Sequence, residues 1–149
     1  IPDLITSPFS NQKIKIKSYF YNSEDDNEKK QQSLVFYNNT YMPNTGIDYN
    51  YEESFDVLSI YDGTVIDVKE DELLGKTVEI RHNNELISVY QSLDNVEVSA
   101  GDIIALGQKI GTSGTNKLYT SGNNLHLEIY KNGEVIDPLK CIGKKLGDI

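Results

Sequence analysis

Apolar and polar positions alternate strictly over residues 13–21. Ile14, Ile16 and Phe20 fall on one face, Lys13, Lys15 and Lys17 on the other. That is the pattern of a half-buried strand. Residues 22–32 follow with no apolar face at all, which predicts a solvated loop or hairpin tip. The strand pattern resumes over 33–37. From Gly46 onward, short β-rich runs alternate with turn signals. Asp62-Gly63 precedes the run 64–68, Gly75 precedes 76–81, Asn83-Asn84 divides that run from 86–93, and Asn132-Gly133 links 125–130 to 134–136. No segment keeps a 3.6-residue period over ten residues or more. Strands this short and this regularly spaced predict an all-β fold, a compact sandwich or barrel of antiparallel strands. The last residues, 140–149, read as a frayed end.

Composition sharpens this picture. A chain of 149 residues suits one domain with a real core. Ten tyrosines, abundant Ile and Val, a single Met and no Trp favour strands over helices. Fourteen basic against 23 acidic residues give a net charge of −9. Phosphate binding needs clustered Lys and Arg, so nucleic acid is excluded as a partner. The lone Cys141 has no partner for an internal disulfide, which suits a reducing compartment or an extracytoplasmic bacterial domain that never used disulfides. Within Leu139-Lys140-Cys141-Ile142-Gly143 it reads as a small buried apolar residue. No apolar run approaches the roughly 18 residues that span a bilayer. The chain opens on Ile1-Pro2 instead of Met, so it reads as a piece of a longer protein from which any N-terminal anchor has been cut away.

Four segments carry candidate chemistry: Asn44-Thr45-Gly46-Ile47-Asp48; Val89-Tyr90-Gln91-Ser92-Leu93; Ala100-Gly101-Asp102 with Gly107-Gln108-Lys109-Ile110-Gly111; and Asn124-Leu125-His126-Leu127-Glu128-Ile129. In the last, Leu125, Leu127 and Ile129 alternate toward the core, so Asn124, His126 and Glu128 share the opposite face. In order and spacing the four resemble the LytM, or lysostaphin-like, zinc endopeptidases that cleave peptidoglycan cross-bridges. The resemblance spans about residues 44–140 and implies a LytM-like β fold. It also implies where a zinc site would stand. The ligand positions fall on Asn44, Asp48 and His126, and the two non-ligand histidine positions on Ser92 and Asn124. Imidazole is therefore missing at Asn44, Ser92 and Asn124.

Magnitudes make the consequence plain. A catalytic zinc needs about three N or O donors and an open position for water. Losing one imidazole removes on the order of 3 kcal/mol, about 100-fold in affinity, and an amide replaces little of it. Losing a general base removes a further ~10²–10⁴ in rate, and neither Ser92 nor Asn124 titrates near neutral pH. The expectation is a pseudoenzyme with no catalytic residue, no cofactor and no bound zinc. His126 then stands either as a relic bonded to Asp48 or as a residual metal ligand. His82, on a non-catalytic position, reads as a satisfied structural histidine. The acidic run Glu70-Asp71-Glu72 lacks the spacing of a calcium loop and reads as a turn.

Further stretches are similar to the stage II sporulation protein Q family. They are residues 38–48, residues 73–80, and Val89-Tyr90-Gln91-Ser92-Leu93 with its Gln-Ser in place of the usual Ala-His. This resemblance covers about residues 8–142 and divides the chain into N-terminal strands (1–43, with the polar loop 22–32), a degenerate LytM-like domain (44–140) and a tail (141–149). It implies a forespore membrane protein with one N-terminal transmembrane helix. Its domain would lie between forespore and mother cell and pair with stage III sporulation protein AH in a ring-forming channel needed for engulfment. Asn44 departs from those members that keep the zinc ligands. The first strand is a candidate contact edge, since lysines guard edges; equally, its lysines are a solvated face. The competing readings are a domain that still holds peptidoglycan in the old groove, and a metalloprotease silenced only at position 44, in which Asn44→His restores zinc.

Overall fold

A computed structural model describes residues 3–149. In chain order its elements are β1 (Lys15–Ser18), α1 (Asn27–Gln31), β2 (Leu34–Tyr37), β3 (Thr40–Pro43), β4 (Ile47–Tyr51), β5 (Asp56–Leu58), β6 (Gly63–Asp71), β7 (Gly75–Arg81), β8 (Leu86–Val96), β9 (Ile103–Ile104), β10 (Lys109–Ser113), β11 (Asn123–Lys131) and β12 (Glu134–Ile136), followed by two short 3-10 turns. One large antiparallel sheet runs β1-β4-β11-β8-β7-β6-β9. Strand β10 bridges β5 and β8, and β12 extends β11. A separate hairpin, β2–β3, turns at Asn38 and Asn39, both with positive φ. The expected all-β class of short antiparallel strands is what is found.

The sheet's inner face forms the core, with Ile47, Val78, Ile80, Tyr90, Leu125, Leu127 and Ile129 fully buried. Alternation on β11 places those three β11 side chains as the sequence pattern requires. Burying a Leu or Ile gains roughly 1.5–3 kcal/mol each, so β11, central in the sheet, fixes the register of its neighbours. That register pairs His126 with Asp48 and Asn124 with Asn50 on β4, and His126 with Gln91 on β8.

Three expectations are corrected. The polar stretch 22–32 contains the helix α1, none of whose residues is buried. Asp26 starts it by accepting from the Lys29 amide at 2.9 Å, and the Ser33 hydroxyl donates to the carbonyls of Lys29 and Lys30. A five-residue helix held by caps has no apolar stripe for periodicity to detect. The first strand pairs only over Lys15–Ser18, with a register shift between Ile16 and Ser18; within it the expected alternation holds, with Lys15 and Lys17 exposed and Ser18 buried on the inward face. The terminal segment is not frayed. Its Cys141 lies in the core, and Ile142, Leu146 and Ile149 pack against it. The Ile5 amide donates to Lys144 O and the Gly143 amide to Ile5 O, each at 2.8 Å. These apolar residues are spaced too irregularly to read as an element.

Candidate functional site

The predicted site residues converge on one face of the sheet, opposite the core. Asp48 projects from β4, His126 and Asn124 from β11, Ser92 from β8, and Asn44 from the segment entering β4; all five are buried. Gly46 lets that segment lie flush on β11, because a Cβ there would meet Leu127 O at 2.2 Å. The same approach sets Thr45 against Glu128, to which its hydroxyl donates.

Asp48 and His126 form the centre. His126 Nδ1 lies 2.7 Å from Asp48 Oδ1 and its Nε2 lies 2.9 Å from Glu128 Oε2. Glu128 Oε1 accepts from the Tyr130 hydroxyl at 2.7 Å. The second oxygen of Asp48 accepts from Asn44 Nδ2 at 2.9 Å and from the Tyr119 hydroxyl at 3.3 Å. Asn44 also donates to Ser18 O, and its own oxygen accepts from the Gly46 amide. Burial alone would lower the His126 pKa, but hydrogen bonds and charge from Asp48 and Glu128 outweigh it and hold the ring protonated up to about 9. Glu128 is held below its usual range: burial opposes this, and His126, Thr45 and Tyr130 overcome it.

The other two positions have turned from the centre. Ser92, at a φ of 72°, accepts from Asn116 Nδ2 at 3.0 Å and donates to Gly114 O at 3.4 Å. Asn124 Nδ2 reaches Gly114 O at 3.1 Å, Ser121 O at 3.3 Å and Tyr119 O at 3.4 Å, while its oxygen accepts from Asn50. Among the described residues no buried side-chain polar atom lacks a partner. His82 lies apart, between Asp62 O at 2.8 Å and Ser88 Oγ at 2.6 Å.

These donors do not fit a catalytic zinc. Only Asp48 and His126 converge. The two nitrogens of an imidazole point to opposite edges of the ring, so Glu128 cannot join Asp48 around one ion. The Asn44 amide faces Asp48 through its nitrogen, which donates and offers a metal no lone pair. At neutral pH Ser92 and Asn124 take up no proton. Beside the centre a groove of about 400 Å³ remains open over Ile87, Val89 and Leu74, walled by Glu79, Glu128 and Tyr130.

The spacing of two from His126 puts Glu128 on the site face, though it assigns that residue no role. Nothing in the sequence pattern marks Tyr119, Asn116 or Asn50. The Tyr119–Asp48 bond spans 71 positions of sequence, and no local pattern marks it.

The chain is 40% identical over 140 residues to stage II sporulation protein Q of Bacillus subtilis, a match covering 91% of this chain and 49% of that relative. It therefore spans about half the relative's length. A solved structure of the SpoIIQ–SpoIIIAH pore-forming complex contains a chain with a TM-score of 0.92 and 36% identity, covering 99% of this chain and 96% of that one. A zinc-containing peptidase from Vibrio cholerae, 23% identical with a TM-score of 0.72 over 91% of this chain and 39% of its own, shares the fold. Residues 42–138, which include Asn44, Asp48, Ser92, Asn124 and His126, match peptidase family M23, and to that family the chain belongs.

Proposed function

We infer that this is a non-catalytic M23 domain that binds a stage III sporulation protein AH-like partner across the space between forespore and mother cell. The observation that carries the reading is the likeness, over 99% of this chain, to a chain in a structure of the SpoIIQ–SpoIIIAH complex. The site's chemistry agrees with it. Without a third zinc ligand and a neutral general base, hydrolysis by the family's mechanism forfeits both the metal and a further ~10²–10⁴ in rate. A fold that keeps its scaffold and drops its reagents is retained for its surface.

On this reading the full-length protein is anchored in the forespore membrane by a helix preceding this domain. Among the described residues no helix is long and apolar enough to cross a membrane. Ring-forming assembly with the partner belongs to the same proposal.

The deciding experiment titrates the extracytoplasmic domain of a SpoIIIAH-type protein into this domain, with metal analysis of the same preparation. Saturable binding without stoichiometric zinc is expected. No binding together with one zinc per chain would overturn the reading. The open groove beside Glu128 supports a competing one, in which a muropeptide occupies it. That reading expects muropeptide affinity that falls when Tyr130 or Glu79 is replaced by Ala.

A further inference from the structure

The loop 114–122 reaches Asp48 through Tyr119, and its anchors are the two positions from which the site's proton-handling histidines are missing. Both ends are fastened to β11 and β8. The Asn124 amide donates to Gly114 O at 2.7 Å and the Gly114 amide returns to Asn124 O at 3.1 Å. The Asn124 side chain then reaches the carbonyls of Gly114, Tyr119 and Ser121, binding the start, middle and end of the loop at once. Ser92 Oγ takes a hydrogen bond from Asn116 and gives one to Gly114. Asn116 Oδ1 in turn accepts from the amides of Leu118 and Tyr119, at 2.8 and 2.7 Å. Gly114 makes this close seating possible, since a Cβ there would meet Asp94 N and Ser92 O at 2.8 Å each.

This seating determines where Tyr119 goes. Its hydroxyl is delivered onto Asp48 Oδ2, beside the Asn44 amide. The ammonium of Lys17, on β1, lies over the ring at 4.4 Å from its centroid. Both oxygens of Asp48 are thereby occupied, one by His126 and the other by Asn44 and Tyr119. A neutral imidazole at position 124 would have a single N–H, with its acceptor on the far edge of the ring, in place of the two donors and adjacent oxygen of Asn124, and at position 92 it would lack the short hydroxyl of Ser92.

We propose that Ser92 and Asn124, with Asn116, clamp the 114–122 loop so that Tyr119 joins Asn44 on Asp48 and closes the Asp48–His126 site, making the three altered positions, Asn44, Ser92 and Asn124, one device that excludes metal. This deepens the non-catalytic reading and rests on it. Ser92, Asn124 and Asn116 are positioning residues, and Tyr119 is the group that blocks. It follows that Asn44→His by itself does not rebuild a zinc site, because Tyr119 still holds the carboxylate the metal needs.

The test uses zinc alone, with no partner present, so its outcome is separate from that of the partner titration. Calorimetric zinc titration compares the full chain carrying Asn44→His with the same chain carrying Asn44→His and Tyr119→Ala. The double variant is expected to bind one zinc at least about 100-fold more tightly than the single one. That ratio is the scale of one metal ligand regained. Equal affinities, or no zinc in either, would overturn the blocking role. A second measurement covers the clamp without metal. Asn116→Ala, outside the former site, should speed amide exchange at Leu118 and Tyr119 by tenfold or more while β11 core amides exchange at the wild-type rate. Unchanged exchange in the loop, or acceleration spread uniformly over β11, would overturn the clamp.

Discussion

The two histidines titrate in opposite directions because their partners differ in charge. His82 faces a carbonyl and a hydroxyl, so burial dominates and its pKa falls, with the neighbouring carbonyl and carboxylate of Asp62 opposing only in part. Its neutral ring donates from Nδ1 to Asp62 O and accepts from Ser88. The Ser88 oxygen lies 2.7 Å from the Tyr90 hydroxyl, which accepts from the Ile60 amide. His126 faces two carboxylates and is raised to about 9. The stability His126 contributes is therefore complete below its unfolded pKa of about 6.5 and lost as pH climbs toward 9. That of His82 is present above 6.5 and lost as pH falls below it. Glu128, held low, adds stability above its unfolded value of 4.5 and loses it in acid. Urea unfolding of the wild type is thus expected to lose roughly 2–3 kcal/mol between pH 6.5 and 9. His126→Gln, less stable at pH 6.5, should show little further loss over that interval. A wild-type curve flat across it would mean that His126 is neutral in the fold. In the same network Tyr90→Phe leaves the Ile60 amide unpaired in the core, for which a cost of about 1–3 kcal/mol is expected from the same unfolding curves.

The longer strands β6, β7, β8 and β11 are legible because each carries a local signature, whereas the short β3, β5 and β9 carry none. The alternation Leu125, Leu127, Ile129 predicts both faces of β11, and the core face is where it should be. The same alternation puts Asn124, His126 and Glu128 on the opposite face, where the structure has them. That this face is also buried follows from the 114–122 loop, whose contacts to Asn124, Ser92 and Asp48 are set by tertiary packing. The helix α1 was missed because its stability lies in caps, and the shift in β1 because alternation cannot register an inserted residue. Gly114 belongs to this scale too: its conformation is ordinary, and it is glycine because β8 backbone lies against it. Gly114→Ala must push the loop off Ser92 or displace Asp94, so thermal unfolding should show a loss of about 1–3 kcal/mol. Gly101→Ala, where no atom lies within 4 Å of the added carbon, should lose less and only through its positive φ. Equal losses would mean that the close seating of Gly114 is not what requires glycine.

Across the whole molecule, charge and chain closure act at different ranges. A net charge of −9 makes long-range attraction to a basic partner surface a matter of association rate. Raising salt from 0.05 to 0.5 M should slow association with such a partner several-fold while dissociation changes little; a salt-independent rate would place the contact among apolar residues. Closure is short-range. Leu4 bridges Lys145, Ile5 exchanges backbone bonds with Gly143 and Lys144, and Lys131 Nζ donates to the Ile149 carbonyl, so residues from both ends seal the core over Cys141. Burial raises the Cys141 thiol pKa, with Asp137 adding to it, to about 11, leaving it inert as well as inaccessible. Removing residues 144–149 strips away all of these bonds except the one from the Gly143 amide to Ile5 O, together with the apolar cover of Leu146 and Ile149, while leaving every residue of the Asp48–His126 site in place. The truncated chain is expected to melt lower, by about 2–4 °C for each kcal/mol lost. Its Cys141 should react with an aromatic disulfide reagent in native buffer, where the full chain reacts only as fast as it unfolds. The result that would sink the closure is a truncated chain with the melting temperature of the full one and an unreactive thiol. Loss of partner binding in a chain still folded around Cys141 would instead place the contact surface on the tail itself.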